Sequence, residues 1–219
     1  MYEMLSAADR DVICRPLLLE RLEPLGFSEI GPRRWIDGSK PPVRRLFELQ
    51  LRKGASLAAC WGFSLDFVPH LSGSSFRWHR SDKTARLDLI VDPIALPHQP
   101  TFLYGAQRFE AELVWLLLEA IPAAELDWSR GATYSGMLDI IREIREHESN
   151  CLPWINYAQL PLAYMFLAAK VDNRVLAERE LEDYLQREGL HPQEADKLRR
   201  LVRECGAVEQ VVEAPTADL

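Results

Sequence analysis

The sequence predicts an α+β fold: an N-terminal helix, an antiparallel β-meander of four or five strands, then a helical C-terminal half packing on the sheet. Three observations carry this expectation. Apolar residues alternate with a period of two between residues 44 and 91, and fall at helical spacing before and after. The links between the alternating runs are short, which suits antiparallel neighbours. Strands and helices are segregated along the chain rather than interleaved, which argues against a doubly wound parallel sheet.

The first helix is expected over residues 9–25, where Val12, Ile13, Leu17, Leu18, Leu19 and Leu22 recur near helical spacing; Pro16 must sit early in it or kink it. Residues 33–37 add a short strand. In residues 44–52, Phe47, Leu49 and Leu51 alternate with Glu48, Gln50 and Arg52. In residues 57–67 the odd positions are large and apolar apart from Ala59, whereas the even ones include Ala58, Cys60, Gly62 and Ser64. Such alternation marks strands with one face buried. Residues 53–56 read as a tight hairpin link, residues 69–75 as a Gly/Ser loop, and residues 85–91 as a further strand with Ala85, Leu87, Leu89 and Val91 on one face. A proline-rich connector follows Asp92-Pro93. Helices are then expected over residues 108–120, 134–149, 160–170, 174–188 and 192–205, with Pro192 in a first helical turn. One domain spans residues 1–205, its sheet part to about 92 and its helical part from about 106, with a frayed tail over 206–219.

Composition narrows the function classes. The chain has 219 residues, 47% hydrophobic and 27% charged, enough to bury a large core without metal or disulfides. It carries 26 Lys+Arg against 33 Asp+Glu, a net charge of −7. Residues 1–100 contribute +2 and residues 101–219 contribute −9. The acidic second half argues against nucleic acid as the main ligand and suits a basic protein partner. No basic-then-apolar leader and no membrane-length apolar run occurs, so a cytoplasmic protein without membrane association is expected. Cys14, Cys60, Cys151 and Cys205 are far apart and form no C-x-x-C, so reduced thiols are expected rather than a disulfide or zinc framework.

Residues 61–93 concentrate aromatics, histidines, arginines and acids around one loop. Four chemistries compete there. Asp66, His70, His79, Asp88 and Asp92 are metal-ligand types, although their spacing matches no standard ligand set. Ser64 or Cys60 could be nucleophiles, but no G-x-S-x-G elbow is present. Arg33, Arg34, Arg44, Arg45, Arg52 and Lys53, with Arg77, Arg80, Lys83 and Arg86 beyond, interleave with Trp35, Phe76 and Trp78 as in single-strand binding surfaces. No phosphate-binding glycine motif accompanies them, and no cofactor is expected. Lastly, the small-residue strip Ala58, Cys60, Gly62, Ser64 either lets a helix lie close or makes a shallow groove, and the run over residues 76–80 past the Gly/Ser loop offers Trp78 as a protein-binding anchor.

Residues 22–27, Leu-Glu-Pro-Leu-Gly-Phe, followed by Gly31, Arg34-Trp35 and Phe47-Glu48-Leu49-Gln50, resemble a bacterial family called domain of unknown function 4304. The likeness covers about residues 10–92. Its turn has a physical reason, since Gly26 can end a helix in the left-handed conformation. The resemblance implies a bacterial cytoplasmic protein that works by binding, such as an immunity or accessory protein of a toxin system. It brings no catalytic residues. The leading expectation is thus a non-enzymatic protein binder with contacts from Trp78, His79, Arg80 and His70 and from the acids Glu143, Glu146 and Glu148, facing a basic toxin. The alternative is a metal-dependent hydrolase or nuclease centred on Asp66, His70, His79 and Asp88, which requires those four side chains to converge.

Overall fold

The computed structural model describes residues 5–38, 41–52, 56–72, 75–91, 101–102, 105–148 and 160–205. Its strands are β1 (Ser28–Gly31), β2 (Arg34–Asp37), β3 (Val43–Arg52), β4 (Ser56–Leu65), β5 (His70–Ser72), β6 (Ser75–Arg77), β7 (Leu89–Val91) and β8 (Thr101–Phe102). Its helices are α1 (Ala7–Leu22), α2 (Ala106–Arg130), α3 (Tyr134–Glu148), α4 (Leu160–Lys170), α5 (Arg174–Glu188) and α6 (Pro192–Glu204). The fold is α+β, as the segregation of periods implies.

Helix α1 starts at Ser6, whose side chain accepts the Asp9 N–H and so satisfies one of the free amides of the first turn. Pro16 lies inside it on the solvent side, where water can reach the carbonyl that the missing N–H leaves free. The helix ends in a 3-10 turn, Glu23–Leu25, closed by Gly26 at φ +85°. That left-handed residue reverses the chain and returns Phe27 to the core.

The main sheet is antiparallel in the order β1-β2-β3-β4-β7, with β8 also pairing with β4. Strands β3 and β4 pair from Val43↔Leu65 to Arg52↔Ser56 and form its spine. Alternation then sorts the side chains. Trp35, Phe47, Leu49, Leu57, Trp61, Phe63 and Leu65 face the helices and join one continuous core running from α1 through α6. At about 25 cal/mol per Å2, each such aromatic contributes roughly 2–3 kcal/mol of burial. Two indoles lock α2 onto the sheet: Trp61 Nε1 donates to Asp127 Oδ2 at 2.9 Å, and Trp128 Nε1 donates to the Gly62 carbonyl at 3.2 Å. Helix α4 is buried over Leu162–Ala169 without a break and sits at the centre of the helical layer.

The opposite sheet face is covered by residues 78–88, a strap that includes a short 3-10 turn, Asp82–Thr84. The small-residue strip, expected either to seat a close-lying helix or to form a shallow groove, is instead closed by this strap. Ala85 packs on Ile36 and Leu46, and Ile90 packs on Cys60. Gly62 is needed here: its φ is +152°, and a Cβ would run into the Leu89 carbonyl.

The sequence pattern does not anticipate strands β1 and β8, α1 ends at Leu22 rather than at 25, and three further elements differ from the sequence expectation. The strand expected over 85–91 is only Leu89–Val91, because Ala85 and Leu87 serve the strap rather than a ladder. The expected loop over 69–75 is instead part of a hairpin, with β5 inside it and β6 starting at its end and running on to Arg77, matched His70↔Arg77 to Ser72↔Ser75. Helix α2 runs ten residues past the expected end at 120, because Pro122 lies on its exposed side and the apolar stripe resumes at Ala124 and Trp128. Cys14, Cys60 and Cys205 are free thiols, whereas Cys151, the connector after Asp92 and the tail over 206–219 lie outside the described residues.

Candidate functional site

The strap and the β5–β6 hairpin enclose a cleft of about 450 Å3. Its chemistry comes from Arg34 of β2, His70 of β5, Arg77 of β6, and His79, Lys83 and Arg86 of the strap. Among the described residues the rest of the lining is two hydroxyl residues and two apolar ones, with no carboxylate. Strand pairing explains the placement. Arg77 lies opposite His70 in the hairpin register, and His79 follows Arg77 by two residues along an extended chain.

At the floor, His70 and His79 meet edge to face with ring centroids 4.4 Å apart. His70 is 5% exposed and its Nε2 lies 2.7 Å from Asp88 Oδ1. Those two atoms form a close polar contact off the ideal hydrogen-bond line, and neither makes a hydrogen bond elsewhere among the described residues. Asp88 is 1% exposed and works as a pin. Its Oδ2 accepts the Leu65 N–H at 2.6 Å, and its own N–H donates to the Phe63 carbonyl at 2.8 Å. Burial pushes the Asp88 carboxyl above the usual carboxylate range, while the contact with His70 and the Leu65 N–H pull it back. His79 is held below its ordinary 6.5, first by partial burial, then by the His70 ring, Arg86 and Arg77; a backbone hydrogen bond at Thr84 works the other way.

The arginines of the sequence fall into two groups. Those on and beside the sheet are neutralised: Arg33 by Asp11 at 3.3 Å, Arg34 by Glu48 at 2.7 Å, Arg45 by Asp37. Arg44, 4% exposed, is held by Asp66, by Asp82 at 2.9 Å and by the Arg80 carbonyl at 2.8 Å. Arg77, Lys83 and Arg86 are different. They are exposed, and none forms an ion pair among the described residues. Cations recur every third residue at 77, 80, 83 and 86, a spacing that the strand period of two does not give. That regular spacing was the available signal for the cleft. Only the hairpin and the 3-10 turn bring three of the four together, while Arg80 instead stacks on Trp78 at 4.2 Å and donates to the Asp66 carbonyl.

Of the four residues proposed for metal hydrolysis, His70, His79 and Asp88 come together, but Asp66 is taken by Arg44 on the sheet side of the strap. Among the described residues no group of three or more His, Cys, Asp and Glu side chains could hold a metal ion. Ser64 is buried and accepts the Arg86 N–H at 3.3 Å, and Cys60 is buried and accepts from Arg52 at 3.2 Å, with no histidine against either among the described residues. Trp35 is buried and Phe76 leans on the core, so the strand aromatics offer no stacking platform for bases.

The residues expected to meet a protein partner are dispersed in role. His70 is buried, Trp78 is half-buried under Arg80, and His79 faces the cleft. Glu143 of α3 is bound by Arg130 at 2.5 Å, Glu146 is exposed, and the Glu148 side chain lies outside the described residues. No described helix is long and apolar enough to cross a membrane.

Comparison of the chain with family models, with curated proteins and with solved structures gives no match, so no residue role is carried over from elsewhere.

Proposed function

We propose that this protein binds a phosphate-bearing ligand in the cleft between the β5–β6 hairpin and the strap. One observation carries the reading. In a chain of net charge −7, Arg77, Lys83 and Arg86 converge on a cavity with no acid among the described residues that line it, and none has an ion-pair partner among the described residues. Elsewhere the fold neutralises its strand arginines one by one, so this local excess of positive charge stands apart. Guanidinium forks match phosphate oxygens in pairs, and an ammonium adds a point charge. The cavity lies within the size range of small-ligand sites.

A protein partner of the immunity type remains the expectation raised by the sequence. It has less geometric support, because His70 is buried and Glu143 already has Arg130.

The test is calorimetric titration with pyrophosphate at low and moderate salt, using the intact chain and an Arg77→Ala/Arg86→Ala double variant. Binding that weakens with salt, and falls about tenfold or more in the double variant, supports the reading. A folded wild-type protein that gives no binding at low salt overturns it, as does a double variant that binds equally well.

A further inference from the structure

The charge around the cleft points to a narrower class of ligand than phosphate esters in general. Three cations, Arg77, Lys83 and Arg86, form no ion pair among the described residues, Arg86 acting only at longer range on the buried Asp88 carboxyl, and Arg34 is shared with Glu48 and the Ala85 carbonyl. A singly charged diester or carboxylate would leave most of that excess uncompensated. A terminal phosphate carries nearly two negative charges at neutral pH and three equivalent acceptor oxygens.

The histidines add a second argument. His79 faces His70 from β5, Arg77 from β6, and Arg86 and the Thr84 backbone from the strap; Lys83 and Arg34 share its cavity, and Asp88 lies beyond His70. With the cleft empty this is a field that opposes another positive charge. The neutral ring therefore has one N–H donor at most. An anion with two charges, set among those cations, reverses the sign of the field and gives an imidazolium something to pair with. By linkage, whatever raises proton affinity on binding also makes binding tighten as protons become available.

We infer that the cleft is built for a terminal phosphate, either a phosphomonoester dianion or the end of a diphosphate, and that His79 takes up a proton as the ligand binds. This inference rests on the phosphate reading of the same cleft. It adds a ligand class and a proton to it.

The experiment compares three probes against the intact chain: inorganic phosphate, sulfate and dimethyl phosphate. Sulfate stays a dianion throughout, so any pH dependence in its binding belongs to the protein. Titrations between about pH 6 and pH 8, repeated in buffers of different ionisation heat, give affinity and the protons exchanged. The expected result is tighter sulfate binding as pH falls, with uptake of up to one proton, and dimethyl phosphate weaker by about tenfold or more. His79→Gln should bind sulfate with an affinity that no longer follows pH. If that variant does not fold, the His79 ring shifts in wild-type protein supply the same readout, moving toward the protonated values on sulfate addition. Equal binding of dimethyl phosphate and sulfate, or a flat pH profile in wild type, overturns the inference while leaving the cleft a phosphate site. No binding by any of the three probes at any pH overturns the inference, and the pyrophosphate titration then decides the phosphate reading by itself.

Discussion

The two faces of the sheet are covered in opposite ways. The helix side is closed by apolar packing in which Trp61, Phe63 and Phe47 meet α2 and α4 within one continuous core. The strap side has only small apolar patches, Ile36 with Leu46 and Ala85, and Cys60 with Ile90. Its cover is held mostly by directional polar bonds: Arg44 to Asp82, Arg34 to the Ala85 carbonyl, Asp88 to Leu65. Hydrophobic packing closes a surface completely. Polar pinning holds a segment at chosen points and leaves space between them, and the cleft is such a space. The comparison teaches that a binding cavity here comes from the way the second face is covered, with the main core left intact.

The contrast can be broken most forcefully on the helix side. Trp61→Ala removes a stacked ring and the bond to Asp127 together, and should cost about 3–5 kcal/mol in urea unfolding. Helix and strap should then be lost in one transition. Arg44→Met tests the other face. It leaves Asp66 and the Arg80 carbonyl without their guanidinium, and should cost roughly 3 kcal/mol. Hydrogen exchange should speed up first in residues 78–88, while β3 and β4 stay protected; uniform acceleration would mean that the strap and sheet form one cooperative unit.

A smaller effect comes from pH. The folded His79 resists a proton that the unfolded ring accepts near its ordinary 6.5. Its contribution to stability is therefore complete above that value and is lost as pH falls. Asp88 has the opposite sign, because its raised carboxyl costs stability at neutral pH and is relieved on acidification. His79→Gln should thus lose less stability than wild type between about pH 7.5 and pH 5.5 in phosphate-free buffer, read as the shift of the urea midpoint. A larger loss in the variant would reverse the assignment of the slope. The smallest change is at the surface, where Glu143→Ala breaks an exposed pair with Arg130 and should shift stability by less than about 1 kcal/mol.

How much was legible in the sequence follows the same division. Helix α4, helix α5 and the β3–β4 pair could be read from period and turn signals, because a large apolar face imposes a regular pattern. Strands β5 and β6 are three residues each, too short for alternation to register against a Gly/Ser background. Ala85 and Leu87 alternate with polar residues as a strand would, but they serve a strap, because Gly62 and Cys60 leave room for backbone to cross the face. The sequence groups His70, His79 and Asp88 with Asp66, and Arg77, Lys83 and Arg86 with other cations, but it does not show that the histidines and these three cations share one cleft. That Asp66 turns to Arg44 while Arg77, Lys83 and Arg86 stay unpaired depends on which side of the strap each side chain emerges.

The buried position of α4 bears on how the protein is made. Translation completes β4 at Leu65, yet the helix that closes the core ends at Lys170. Roughly a hundred residues lie between, about 5–20 s of synthesis at ordinary elongation rates. For that interval Trp61, Phe63 and Phe47 have no finished helical layer to cover them. Until then the apolar ridge that becomes the floor of the mature core is the surface of the nascent chain most exposed to unwanted contacts.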